Sequence, residues 1–446
     1  MLEAILFLQR RSAMMEYASS LTRKINVWSV YPGALVGWIM DAFNLSMMFL
    51  LVPVLANLFF PAHYGLAIVG TWSIYTTTFV FRPVGGFIFG RLGDRIGRKN
   101  TMFITLLGLG LITFATGFLP VYATIGIIAP ILLFLFRAIT GIFAGGEYGN
   151  GSSIIMESIS GNRRGIWGAA VQSGYPIGYT LAASIFLYLH YVFPGSSFNV
   201  TGWRWMFWIG LIPAIIGLII RIRMPESVLW EESVKKKNPL KRSFSPTIVY
   251  NVILGALAMT GIAWVYGLTL GFFPTVLSVH AFMKFPYFIY VVITAILISL
   301  LGYMASGYLS DIIGRRLTMV IFSSMAIILA IPLTYMIMGH YLGFTGALIF
   351  ASIIAFVTTG VYGVIPSYLA EKFPTEMRST GTGIGFNGGF ILGNWSTVFL
   401  LLIVAFTSKA FYAWWGAFII IGEIFILISA VLSKETKGVD LSNIKL

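Results

Sequence analysis

The sequence predicts an all-α membrane protein with twelve transmembrane helices, arranged as two six-helix bundles that repeat one another in parallel. Three observations predict it. Of 446 residues, 58% are hydrophobic and 10% charged, against roughly 25% charged in ordinary soluble domains. The apolar runs are numerous enough for a dozen segments of the roughly 20 residues that a membrane helix needs. A charged loop pattern also returns about half a chain later.

Apolar runs between loop signals place the spans near 26–58, 65–90, 100–119, 122–149, 164–189, 204–222, 247–276, 287–309, 317–338, 343–370, 378–406 and 411–432. Pro32 and Pro53 interrupt the first, which a membrane helix tolerates when neighbours satisfy the freed carbonyls. Of the 29 Lys and Arg residues, 24 fall on one side of this topology, three on the other and two within spans. The positive-inside rule then makes both termini cytoplasmic. The expected organisation is a cytoplasmic arm at 1–25, a first bundle at 26–222, a cytoplasmic linker at 223–246, a second bundle at 247–432 and a cytoplasmic tail at 433–446. The run Ala4 to Leu8, followed by Arg10 and Arg11, is too brief for a secretory signal. The net charge of +14 is thus a topology signal and implies no nucleic-acid partner. The absence of cysteine excludes disulfides, iron–sulfur clusters and thiolate zinc sites.

The segment from Gly90 to Lys99 returns as Gly307 to Arg316, an offset of 217. A second set, Tyr148, Gly149, Glu157, Arg164 and Gly174, returns as Tyr362, Gly363, Glu371, Arg378 and Gly388, an offset of 214. Six spans is an even number, so both copies enter from the same side and the repeats are parallel. That arrangement places a solute site between the halves at mid-membrane, opened to either side by rocking.

On these residues the chain resembles the major facilitator superfamily over almost its whole length. The loop Gly90 to Lys99 is similar to that family's signature between helices 2 and 3. The run Arg137 to Gly149 resembles the helix 4 motif of proton-coupled organic-acid and sialate symporters. Glu157 to Gly165, Gly202 to Trp205, Pro225 to Ser227 and Pro366 to Arg378 point the same way. One departure stands out: where relatives often carry Asp-x-x-Asp in helix 1, this chain reads Asp41-Ala42-Phe43-Asn44. The resemblance implies a transporter rather than an enzyme, with no cofactor or metal, acting as a monomer in the cell membrane.

Ionisable residues inside a bilayer are costly and are the first candidates for function. Asp41 and Arg137 both reach mid-membrane, about 20 Å from their ends of helices 1 and 4 at 1.5 Å per residue. Arg137 is the expected anchor for a carboxylate and Asp41 the expected proton carrier, paired with Arg137 or released from it. The alternative is a permanent structural Asp41–Arg137 pair. Glu147 either relays the proton inward or serves as a structural acid. Arg82, followed by Pro83, reads as a residue that snorkels or pairs with the loop signature, with substrate contact the less favoured alternative. Glu423 has no assigned role. All four histidines fall in external loops, as does none of the 15 acids; loop shortness accounts for the latter, or an acidic outer medium does.

Asn44, Gln172, Tyr175, Tyr266, Thr269, Tyr362, Asn387 and Asn394 are the expected polar groups of the cavity. Gly141, Gly145 and Gly149 read as a helix-packing face. Asp94 and Asp311 begin the turns before helices 3 and 9. By resemblance they form, with Arg95, Arg98 and Arg315, a cytoplasmic latch favouring the outward-open state. The expected activity is proton-coupled symport of a small organic anion. A neutral sugar, polyol or osmolyte, or inorganic phosphate, is the alternative cargo.

Overall fold

The computed structural model describes residues 27–60, 64–159, 161–227, 230–231, 245–281, 283–407, 411–441 and 444. The expected arm at 1–25 and most of the expected linker lie outside them. Twelve long helices run through the described residues. They are α1 Val27–Phe59, α2 Tyr64–Ile96, α3 Arg98–Thr116 and α4 Ile128–Glu157. Then follow α5, in two pieces, Arg164–Gln172 and Gly174–Val192, and α6 Phe198–Ile222. The second half comprises α7 Pro246–Ser278, α8 Tyr287–Ile313, α9 Arg315–Met338, α10 Gly343–Ala370, α11 Arg378–Ala405 and α12 Phe411–Leu432. All but α2 and α5 are, by length and composition alone, candidates to cross a membrane. α2 carries Arg82, Arg91, Asp94 and Arg95 along its length, and α5 is interrupted at Ser173. Helix is the expected form because a hydrocarbon medium offers backbone amides no other partner.

Several boundaries differ from the sequence reading, α6 beginning at Phe198 rather than 204, and two of the differences trace to single glycines. The span placed at 122–149 begins at Ile128 and runs on to Glu157, because Gly126 adopts φ 61° and ends a short preceding turn. The loop placed at 91–99 is mostly helix, its turn confined to Gly97. Gly97 and its repeat Gly314 have φ 106° and 97°, a left-handed backbone that favours glycine.

Within the first bundle α1 packs on α5, and α2 and α3 on α4; within the second α7 packs on α11 and α12, and α8 on α10. The bundles meet where α2 touches α11 and where α5 touches α8. These two contacts are equivalent under the internal repeat. The α2–α4 crossing depends on missing side chains: a Cβ on Gly145 would overlap the Arg82 carbonyl oxygen, and one on Gly141 that of Thr78. Neither carbonyl can turn away without breaking the α2 ladder. Gly145→Val is therefore expected to destabilise the protein by at least the roughly 1–3 kcal/mol of ordinary overpacking. Gly388→Ala, whose Cβ would meet Ala256 at 3.4 Å, should cost little. Thermal denaturation in detergent distinguishes the two.

Candidate functional site

Asp41 and Arg82 form the central feature, and both are fully buried. Arg82 Nη1 donates to Asp41 Oδ1 at 3.0 Å and Nη2 to Oδ2 at 2.6 Å, a two-pronged contact between α2 and α1. Its third edge, Nε, donates to Asn387 Oδ1 at 3.0 Å on α11, in the other bundle. The rings of Phe79 and Phe390 lie 5.8 and 5.2 Å from the guanidinium carbon. This corrects the expected Asp41–Arg137 pair and the reading of Arg82 as a snorkelling residue. The physical reason is packing: Arg82 is fully buried, with its guanidinium held by Asp41 of α1 and Asn387 of α11 rather than turned toward an interface.

Arg137 instead donates to Asn44 Oδ1 at 3.1 Å and Thr116 Oγ1 at 3.0 Å, beside the ring of Phe207. It makes no ion pair among the described residues. Glu147 is gripped by Arg221 of α6, with Nη2 to Oε2 at 2.6 Å and Nη1 to Oε1 at 2.9 Å, and also accepts from Thr105. Neither Arg137 nor Glu147 lines the central cavity.

That cavity, about 10 Å³, has room for about one water. Its wall is aromatic: Trp38, Phe79, Tyr175, Tyr266, Tyr362 and Phe390, with Leu45 and Ala263. Arg82 and Asn394 supply polar edges, and the Trp38 indole N–H has no hydrogen-bond partner among the described residues. Tyr179 donates to the Leu270 carbonyl at 2.7 Å across the bundle interface.

Of the expected cavity residues, Tyr175, Tyr266, Tyr362 and Asn394 line it, and Asn387 is joined to it through Arg82. Asn44 lies with Arg137. Thr269 bonds back to the Val265 carbonyl, and Gln172 is buried with neither end of its amide bonded among the described residues. Trp38, Phe79 and Phe390 were missed as cavity residues, and for Arg82 a substrate role was the less favoured alternative. Helical spacing carried the signal, since Trp38 precedes Asp41 by three residues, Phe79 precedes Arg82 by three, and Phe390 lies between Asn387 and Asn394.

At the end of the helices that carries the basic loops, the bundles are held by two equivalent clusters. Asp94 accepts from the Thr380 amide at 3.1 Å and from its hydroxyl. Its repeat Asp311 accepts from the Gly165 and Ile166 amides at 2.8 and 2.9 Å, and from Arg315. Glu157 pairs with Arg98 and, across the interface, with Arg378 at 2.5 Å. Its repeat Glu371 pairs with Arg315 at 2.9 Å and, across the interface, with Arg164 at 3.7 Å. Arg95 is exposed and takes no part in these contacts. The cross-bundle residues Glu157, Arg164, Glu371 and Arg378 were absent from the expected latch, although the repeat had already paired them.

Asp94 stands beyond the apolar part of α2. Burial pushes its carboxyl up to about 6, against the pull of Arg98 and the Thr380 hydrogen bonds and with the charge of Glu157 adding to the rise. Oδ1 has no hydrogen-bond partner among the described residues, so a proton there disturbs no existing bond. The closed face binds this proton more tightly than an opened face would, where water restores the ordinary value of 3.8. Closure therefore strengthens as pH falls through 6 and stops strengthening below about 4. Spin labels at Ile96→Cys and Ile312→Cys, in a chain without native cysteine, should show the closed-to-open ratio rising about tenfold from pH 7 to pH 5. Asp94→Asn should remove that rise.

Comparison with known proteins bears on the family and the fold. The family model described as the Major Facilitator Superfamily matches residues 35–397. The inner membrane metabolite transport protein YhjE of Escherichia coli (strain K12) is 31% identical over 353 residues, covering 77% of this chain and 79% of that one. The proline/betaine transporter of Salmonella typhimurium (strain LT2) is 30% identical over 371 residues, covering 79% of this chain and 73% of that one. The solved structure of the proton:xylose symporter XylE bound to 6-bromo-6-deoxy-D-glucose superposes with a TM-score of 0.77 at 17% identity, covering 93% of this chain and 98% of that one.

Proposed function

The chain belongs to the Major Facilitator Superfamily, and on that premise we propose that it carries a small organic anion together with a proton by alternating access. It is a multi-pass membrane transporter and not an enzyme. The basic face is cytoplasmic in this reading, with both termini on that side. The observation that carries the proposal is the buried Arg82–Asp41 pair at the wall of an aromatic cavity.

The argument is one of charge. With Asp41 ionised, the pair is neutral and the fork of Arg82 is occupied. A substrate carboxylate must compete with Asp41 for that fork. A proton on Asp41 removes the competitor, leaving Arg82 free to bind the anion, so proton and carboxylate load together at no net charge. The role first expected of Arg137 thus passes to Arg82. The aromatic wall receives the apolar body of the substrate, and the side chains must withdraw to admit it, since the cavity holds about one water. The Arg82–Asn387 bond ties this event to α11 and so to the other bundle.

A zwitterionic osmolyte is the second reading. The rings of Trp38, Tyr175, Tyr266 and Tyr362 suit a quaternary ammonium, and relatives are named as proline/betaine transporters. Electrical behaviour separates the two. An anion with a proton moves no net charge, whereas a zwitterion with a proton moves one.

In proteoliposomes, wild type should accumulate labelled monocarboxylates on an inward proton gradient, with no response to membrane potential. Asp41→Asn should keep exchange and lose accumulation, and Arg82→Gln should lose both. If no acid is taken up, or if Asp41→Asn still concentrates substrate, the reading fails. Potential-driven uptake of betaine in its place selects the second reading.

A further inference from the structure

Glu423 lies near the middle of α12, twelve residues or about 18 Å after Phe411. It is fully buried, and neither carboxyl oxygen has a hydrogen-bond partner among the described residues. It also makes no ion pair there. The two helices packed most extensively on α12, α7 and α9, leave it so. On α7, Gly261 admits the Gly422 carbonyl, and the Trp264 indole is already bonded to the Phe418 carbonyl at 2.8 Å. On α9, Ser323 faces the carboxyl, and its hydroxyl is equally unbonded. The other charged residues of these three helices are Arg315 and Arg316 at the start of α9. Arg315 is engaged by Asp311 and Glu371, and Arg316 by the Ala430 and Val431 carbonyls. The tyrosines of these helices, Tyr250, Tyr266, Tyr335 and Tyr412, are uncharged at neutral pH.

An ionised carboxylate shut off from bulk solvent, with no partner among the described residues, is strongly disfavoured. We propose that Glu423 is a proton-binding site of the second bundle, separate from Asp41, holding its proton as a neutral carboxylic acid that donates to the Ser323 hydroxyl. The other glutamates buried in the structure, Glu147, Glu157 and Glu371, are each gripped by arginine and give no such signal. Infrared spectra of the purified protein at pH 7 test this. The expected result is a protonated-carboxyl band that shifts on ¹³C-glutamate labelling, is indifferent to ¹³C-aspartate labelling, moves in Ser323→Ala and disappears in Glu423→Gln. The labelling needs no mutant, so a variant that fails to fold does not block the test. Absence of a glutamate-sensitive band, or its survival in Glu423→Gln, overturns the proposal.

The segment after α12 carries an independent inference. Burial works against the charge of Glu435, yet backbone amides of Arg315, Lys437, Arg316 and Thr436 hold its carboxyl below the ordinary range. Thr436 then donates to Glu371 at 2.8 Å. Beyond it the chain crosses to the first bundle, where Arg164 of α5 donates to the Val439 carbonyl at 2.6 Å. Arg378 of α11 donates to the Leu441 carbonyl at 2.9 Å. The Leu441 side chain is 2% exposed, in an apolar cluster with Val30, Met102, Ile154 and Val171 of the first bundle and Ala370 of the second. These are the arginines that also pair with Glu371 and Glu157 across the interface.

We infer that residues 435–441 are a strap that locks the basic face closed and must detach before that face opens. Truncation after Lys437 keeps the Glu435 and Thr436 contacts and removes those of Val439 and Leu441. In the labelled Ile96→Cys, Ile312→Cys background it should lower the closed-to-open ratio at least several-fold, and Leu441→Asp in the full chain should do the same. An unchanged distance distribution in Leu441→Asp, whether or not the truncated chain folds, overturns the inference.

Discussion

A charge inside a lipid bilayer must find a partner or lose its charge, and the arrangement of this protein follows from that requirement. Among the fully buried arginines, Arg82, Arg98, Arg221, Arg315 and Arg378 each contact a carboxylate. Such pairs add little net stability, because desolvation offsets most of the attraction. Their value is geometric. Each needs two helices at a set depth, so breaking or remaking a pair moves helices rather than side chains alone. The exceptions are informative too: Arg137 rests on neutral oxygens and an aromatic ring, and Glu423 has no partner among the described residues.

The pairs divide into two kinds by what they join. Asp41–Arg82 and Glu147–Arg221 lie within the first bundle, one at the cavity wall and the other away from it. The Glu157 and Glu371 clusters join the bundles at the basic face and are copies of each other under the repeat. Glycines make the second kind possible. A Cβ on Gly165 would overlap the Gly307 carbonyl oxygen, so the α5–α8 contact tolerates no side chain there. Close backbone approach places aspartate against exposed amides, as Asp311 is against Gly165 and Ile166.

Sequence reasoning reached the residues that join the bundles at the basic face only in part. Asp94, Arg98, Asp311 and Arg315 stand in a recognisable charged loop and were legible there. Glu157, Arg164, Glu371 and Arg378 were visible as repeated residues, but nothing in linear sequence shows that Arg378 turns toward Glu157 rather than toward its own bundle's acid. The central pair was misread for a different reason. The end of α2 was placed at the first charged loop residue, which put Arg82 near an interface where a snorkelling side chain is cheap. Linear sequence does not show which way the side chain turns, and Arg82 turns inward, to Asp41 of α1 and Asn387 of α11.

Composition, hydrophobic period and the twofold repeat by themselves determined the all-helical membrane architecture and its parallel halves. These are properties of single segments, and apolar content and spacing suffice to dictate them. Which cation meets which acid depends on helix rotation and depth, set by the contacts of several segments at once. Only the tertiary structure therefore decided that Asp41 faces Arg82, that Arg137 stands apart from the cavity, and that the chain after α12 returns beneath both bundles.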